Sequence, residues 1–242
     1  MIYKEKFKIG LKDVWAGEEV SNIAILEYLE DIAAYHSDSV GYGINTTEQT
    51  NLNWILLDWK LHVIKRPKYG QELEIHTWSR GIEKFYAYRD FEVYNENGEL
   101  SAIATSKWLL VDSKTEKISR VEQSMADKYK SEIERTVFVD NQLGKLKVPD
   151  NFESEITYTV QRSDIDVIGH MHNLYYLKLA YEVLPEEIYK QRPFNDVRIM
   201  YKKEIKLGES VKCKYAKSEN KRIVAIFDES EKKLHSIIQL EK

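Results

Sequence analysis

One cysteine, Cys213, among 242 residues leaves no partner for an intrachain disulfide and no sulfur set for a zinc site. A lone thiol also fits a reducing compartment. Glycine and proline are scarce, at 10 and 4, while tyrosine reaches 16, a composition that speaks against disorder. Charge of one sign is missing too. The net charge of -4 is spread over interspersed acids and bases, which argues against a general nucleic-acid binder. An acidic partner would need a local basic patch. No apolar run approaches a membrane span, and the start "MIYKEKFKIG" lacks the apolar stretch of a signal peptide. The cytoplasm is the expected compartment, with no membrane and no nucleic acid as partner. What is present, 43% hydrophobic and 31% charged residues, describes a globular chain with room for one large domain or two ordinary ones.

The chain resembles itself. Residues 12–32, "KDVWAGEEVSNIAILEYLEDI", align without a gap to residues 163–183, "SDIDVIGHMHNLYYLKLAYEV". Asp13 then meets Asp164, Asn22 meets Asn173, Leu26 meets Leu177 and Ile32 meets Val183. Further on, "HVIKRPKYGQELEI" and "YKKEIKLGESVKC" set Gly70 opposite Gly208, each as a strand ending in a turn. The shared order carries the argument, because individual identities are few.

Each half reads as one long helix followed by antiparallel strands. Ile25, Leu26, Leu29, Ile32 and Ala33 form one apolar stripe, with Ser21 or Asn22 as the cap. In the second half Leu174, Leu177, Tyr181 and Leu184 recur at helical steps, with Asn173 or His172 at the entrance and Pro185 as the stop. "LDWKLHV" alternates Leu57, Trp59, Leu61 and Val63 against polar residues, and "FYAYRDFEVY" turns through Asn97-Gly98 into "AIATSKWLLVD". "SVKCKYAK", "KRIVAIFDES" and "LHSIIQLE" form the second antiparallel set. The fold class is therefore α+β: in each half, a helix lies across a curved sheet and buries its stripe. The expected division is residues 1–121, a charged and turn-rich connecting segment at 122–156, and residues 157–242.

The stretch "SDIDVIGHMHN" loads one helix entrance with Asp164, Asp166, His170 and His172. Residues of these types commonly cap helices or turns, and capping is the plain reading of each. A metal set is another option, since imidazoles and carboxylates suit zinc, manganese or iron. Four groups within nine residues do not converge easily on one ion, and no distant histidine motif completes a shell. No metal and no cofactor is expected.

"DIDVIGHMHNLYYLKLAYEVLP", "WILLDWKLHVIKRPKYGQELEIHTW" and "RDFEVYNENGELSAIATSKWLLVD" resemble the acyl-acyl carrier protein thioesterases over nearly the whole chain. The resemblance implies a tandem double hotdog fold. It also implies hydrolysis of fatty acyl thioesters on acyl carrier protein, which ends chain elongation in fatty acid biosynthesis. The family's second hotdog carries Asp, any residue, Asn, any residue, His, one residue and two Asn. On that pattern Asp166 and His170 take the Asp and His positions, and Asn173 takes the second Asn. "YKKEIKLG" resembles the segment whose Glu, often followed by Cys, completes the site, and Glu204 matches that Glu. Three positions depart from the pattern. Ile168 replaces the site Asn, His172 replaces the first Asn of the pair, and Ile205 removes any thiolate.

The resemblance thus implies Asp166, His170 and Glu204 as catalytic and His172 and Asn173 as substrate-binding. Either Glu204 or His170 deprotonates water, Asp166 orients the imidazole, and the helix start stabilises the oxyanion. Asp164 stays structural, and for His172 cap and site are equally open. An exposed ion pair with Lys202 or Lys203 is the plain alternative for Glu204. Ile25, Leu29, Trp54, Leu57, Trp59 and Trp78 either line an acyl tunnel or fill the core. Acyl carrier protein, being acidic, would dock on Lys65, Arg66 and Lys68 or on Lys202, Lys203, Lys212 and Lys214, clusters that also suit ordinary strand faces. A monomer or homodimer is the expected state. An acyl-coenzyme A thioesterase and a silent acyl-thioester binder are the alternatives, the latter suggested by Ile168.

Overall fold

The computed structural model describes residues 1–15, 17–83, 85–140 and 143–242, which divide into two compact units, Met1–Gln142 and Leu143–Lys242. The first unit contains β1 (Tyr3–Lys8), α1 (Asn22–Ser39), a single turn α2 (Thr47–Thr50), β2 (Leu52–Val63), β3 (Glu72–Glu83), β4 (Tyr86–Tyr94), β5 (Leu100–Asp112) and α3 (Gln123–Tyr129). Its strands pair antiparallel in the order β1-β3-β4-β5-β2. The second unit contains β6 (Ser154–Thr159), α4 (Asn173–Glu182), the short α5 (Glu186–Tyr189), β7 (Asp196–Tyr201), β8 (Ser210–Ser218), β9 (Lys221–Asp228) and β10 (Leu234–Glu241). Here the order is β7-β10-β9-β8-β6, again antiparallel. No helix among the described residues is long and apolar enough to cross a membrane.

Each helix forms because its apolar residues fall on one side and its first turn is capped. Ser21 caps α1, its hydroxyl accepting the Ala24 N–H at 3.0 Å. The stripe Ile25, Leu26, Leu29, Ile32 and Ala33 is buried, and α1 packs on β1 and β3. His172 caps α4 through ring Nδ1, which accepts the Leu174 N–H at 3.3 Å. Leu174, Leu177 and Tyr181 are buried as α4 packs on β8 and β10. Each such side chain contributes about 1.5–3 kcal/mol by leaving water, so the stripes hold the helices more firmly than the caps do.

Two local expectations change. In β2 a register shift between Leu56 and Asp58 turns Leu56 and Asp58 inward, so the simple alternation starting at Leu57 holds only from Trp59 onward. The segment expected to connect the halves is largely absorbed by them. Helix α3 places Met125 and Tyr129, one turn apart, against Leu110 and Val121. Beyond it Trp78 donates to the Arg135 carbonyl at 3.0 Å, and the Val137 N–H donates to Asp90 at 3.1 Å. A charged composition conceals these attachments, because they use two buried side chains and main-chain groups. At the far end β6, from Ser154, joins the second sheet. Of the bulky residues weighed as an acyl tunnel, Ile25, Leu29, Trp59 and Trp78 are fully buried core, while Trp54 and Leu57 are partly exposed.

Candidate active site

The internal repeat extends to individual hydrogen bonds. Gly70 donates to the Ile9 carbonyl at 3.0 Å, and Gly208 donates to the Val160 carbonyl at 3.1 Å. Both glycines have positive φ, 81° and 79°, which the turn demands of each. Val20 N–H bonds to Pro67 O at 3.0 Å, matched by Met171 N–H to Ile205 O at 2.8 Å. Ser21 N–H reaches Asp13 O and His172 N–H reaches Asp164 O, both at 2.8 Å. The Asp13 carboxylate accepts from Tyr28 Oη and Gly10 N–H, each at 2.7 Å; Asp164 accepts from Tyr158 Oη at 2.6 Å and Gln161 N–H at 2.7 Å. Its bond to Asp164 pushes the Tyr158 phenol up to about 12, with burial adding to the effect.

Asp164 is thus a structural clamp. Asp164→Ala is expected to lower unfolding stability by about 2–4 kcal/mol, the scale of hydrogen bonds to a buried charge. Urea denaturation checks this, and an unchanged midpoint would remove the clamp.

The same register pairs the loop of interest with an ordinary one. Asp166 N–H to His170 O, at 2.8 Å, repeats Trp15 N–H to Glu19 O at 2.9 Å. Asp166 therefore stands where the first unit has Trp15. Its Oδ1 accepts the backbone N–H groups of Ile168 and His170 at 3.0 and 3.1 Å. It holds His170 by the main chain rather than by the ring, a geometry different from the imidazole orienter expected of it. The His170 ring is half-buried and has no protein partner among the described residues. Asn173 opens α4 beside the capping His172. Its carbonyl accepts from Tyr201 Oη at 3.0 Å, and its carboxamide has no partner among the described residues. Ile168 is exposed at the loop tip.

Glu204 lies in the loop after β7 rather than within a strand. The main-chain bond from Met171 to Ile205 ties this loop to the His170 loop, one residue beyond each side chain. Burial pushes the phenol of Tyr176 up, a hydrogen bond with the Ile205 main chain opposes it, and Glu204, Asp166 and Glu209 add to the rise. The Glu204 carboxylate is exposed, forms no ion pair with Lys202 or Lys203, and lines an open groove of about 750 Å³. Lys203, Lys206, Glu209 and His235 line it too. The corresponding residue of the first unit is Arg66, whose guanidinium is bonded to Val20 O and Asn22 Oδ1, both at 2.9 Å. In one unit the side chain at this place is bonded within the unit. In the other a carboxylate and a carboxamide have no partner among the described residues.

The structure therefore brings the loops bearing Glu204, His170 and Asp166 together at the α4 entrance, but only Glu204 of these lines the groove. Among the described residues no three His, Cys, Asp or Glu side chains gather as a metal site. His235 was invisible in sequence, because in "LHSIIQLE" it reads as one alternating strand residue.

Five antiparallel strands with a helix packed on them, found in each unit, define a tandem double hotdog protein. The acyl-ACP thioesterase N-terminal domain model matches residues 1–129 and the acyl-ACP thioesterase C-terminal domain model matches residues 148–239, so the chain belongs to the acyl-ACP thioesterase family. Oleoyl-acyl carrier protein thioesterase 1, chloroplastic, from Arabidopsis thaliana is 24% identical over 224 residues, covering 86% of this chain and 62% of that protein. The chain thus spans somewhat under two thirds of that relative's length. The crystal structure of an acyl-ACP thioesterase from Bacteroides thetaiotaomicron superposes with a TM-score of 0.88 at 20% identity, covering 99% of this chain and 97% of that one. The 12:0-ACP thioesterase from Umbellularia californica gives 0.86 at 19% identity, with 99% and 96% covered.

Proposed function

We propose that this protein hydrolyses fatty acyl thioesters carried on acyl carrier protein, releasing free fatty acid and ending chain elongation. The observation that carries this reading, within the family, is the Glu204 carboxylate at an open groove with no partner among the described residues, where the first unit has Arg66 bonded to Val20 and Asn22. Glu204 takes a proton from the attacking water, with the unpartnered His170 imidazole assisting across the joined loops. Oxyanion charge develops at the positive end of α4, where the Asn173 carboxamide is available as a donor. Asp166 keeps the His170 backbone in place. His172 supports the same entrance as its cap, and through the cap it orders whatever Asn173 binds. A reducing compartment such as the cytoplasm belongs to this reading; the one thiol, Cys213, is buried, and burial pushes it up to about 12.

The test is release of fatty acid from one acyl group presented on carrier protein and on coenzyme A. A clear preference in kcat/KM for the carrier supports the proposal, and a preference for coenzyme A overturns the choice of carrier. The exposed Ile168, at the position of the family Asn, favours a second reading, a silent acyl-thioester binder. Tight binding of acyl carrier protein without fatty acid release would establish it.

Docking rests on fewer lysines than the sequence offers. Lys65 is paired with Glu99 at 2.7 Å, Arg66 is bonded internally, and Lys212 and Lys214 share Glu231 at 2.8 and 2.5 Å. Lys202, Lys203, Lys206 and Lys233 have no ion pair among the described residues and sit at or beside the groove. K202E/K203E is expected to raise KM for the carrier-bound substrate about tenfold, a change of roughly 1.4 kcal/mol. KM for the coenzyme A thioester should shift less, and added salt should mimic the double variant. Equal shifts for both substrates would exclude this surface.

A further inference from the structure

A free carboxylate on a loop is useful only if the loop is held still, and the two units hold theirs differently. In both, the residues following the relevant strand approach one carbonyl of a neighbouring strand. Ile64 and Lys65 donate to Ser101 O at 2.8 and 3.0 Å; Lys202 and Lys203 donate to His235 O at 2.8 and 3.3 Å. His235 is therefore the repeat counterpart of Ser101. Ser101 is buried with its hydroxyl unpartnered, so its side chain, unlike its carbonyl, adds nothing to the hold on that loop. There the loop is fastened from its own side, by the Arg66 guanidinium reaching Val20 and Asn22. In the second unit Glu204 replaces Arg66 and cannot donate to those acceptors. The holding group has moved underneath: His235 Nδ1 lies 3.2 Å from Lys203 O and 3.1 Å from Glu204 O.

Both partners are carbonyls and only accept, so Nδ1 carries the hydrogen and bridges two successive residues of the loop. His235 is 4% exposed and belongs to the lining of the groove that Glu204 faces. We infer that His235 is a positioning residue of the reaction, its Nδ1–H fixing the Lys203–Glu204 main chain so that the Glu204 carboxylate points into the groove. The exchange of Arg66 and Ser101 for Glu204 and His235 is one change in two parts: the loop's anchor passes from a side chain in the site to a ring beneath it, and the site is vacated for chemistry. This inference rests on the proposed role of Glu204.

The test compares His235→Ala, His235→Asn and His235→Gln, each with melting temperature, kcat and KM for acyl-carrier hydrolysis. Asparagine places an N–H near the position of Nδ1; glutamine carries its amide one carbon further out. A positioning role predicts that Ala and Gln lose about 10²-fold in kcat, the scale of a catalytic group misplaced by about 1 Å. KM should hardly move, and Asn should recover most of the activity at an unchanged melting temperature. Wild-type kcat in His235→Ala overturns the inference, as does a Gln variant that outperforms Asn, which would assign the work to Nε2. Should Ala fail to fold, the Asn and Gln pair decides alone. Glu204→Gln run alongside separates the two claims. An impaired E204Q beside a fully active H235A removes only the positioning role, whereas a fully active E204Q removes the catalytic reading on which it rests.

Discussion

Glu204→Gln is expected to lower kcat for acyl-carrier hydrolysis by about 10²-fold or more, the scale of lost general base assistance. The substitution keeps size and exposure, and because the native carboxylate has no partner among the described residues, nothing structural should be lost with its charge. KM should stay near the wild-type value, because a group that acts on water contributes mainly in the transition state. His170→Ala should fall by a similar factor, and the double variant by less than the product of the two, since both serve one proton transfer. Glu204→Arg is a sharper probe. It copies Arg66, whose guanidinium bonds to Asn22 in the first unit, and an arginine at 204 should find Asn173 in the same way. Activity should then vanish while melting temperature holds or rises. Thiol release from acyl carrier protein, followed at saturating substrate, measures all four variants. Near-normal turnover in both E204Q and H170A would remove this chemistry from the second unit.

Much of the architecture was legible because a repeat must satisfy the same physical demands twice. The Asp13–Asp164 and Gly70–Gly208 matches survive as paired carboxylate clamps and paired positive-φ turns, neither of which tolerates ordinary substitution. The helical stripes were readable for the same reason, since burial leaves a period in the sequence. What stayed hidden depends on register. The shift at Leu56–Asp58 leaves no local mark, so Asp58 read as outward-facing. Tyr129 and Met125 looked like members of a charged linker, because two buried residues among many exposed ones barely alter composition. Asp166 and Glu204 could be named from sequence. That Asp166 spends one oxygen on main-chain N–H groups, and that Glu204 sits in a loop above His235, depends on how strands far apart in sequence pair.

The first unit should be sensitive to acid, and His36 is the reason. This residue of α1 is wholly buried, its Nδ1 accepting from Arg89 Nη1 at 2.8 Å, with Tyr3 stacked on one side and the edge of Tyr129 nearby. Burial, reinforced by the Arg89 guanidinium, pushes the imidazole down to about 3 from its ordinary 6.5. Arg89 is itself pushed down by burial, to about 10, so it remains charged at every pH that matters here and keeps opposing a second positive charge. The sign follows from proton counting. Below pH 6.5 the unfolded chain takes up a proton at this residue, and the folded chain refuses it until about pH 3. Stability is thus intact above 6.5 and falls by about 1.4 kcal/mol per pH unit as the solution is acidified through that window. His36→Asn should abolish this contribution while preserving an acceptor for Arg89, because its Oδ1 can stand near Nδ1 and does not titrate. Carboxylates add their own dependence to both proteins, so the informative quantity is the difference between the two curves. Unfolding free energies measured by urea from pH 8 to pH 4 should show wild type falling more steeply than H36N below pH 6.5, and the two running parallel above it. Parallel curves throughout would mean that the folded protein accepts the proton on His36, and that the space beside Arg89 is less closed than its burial indicates.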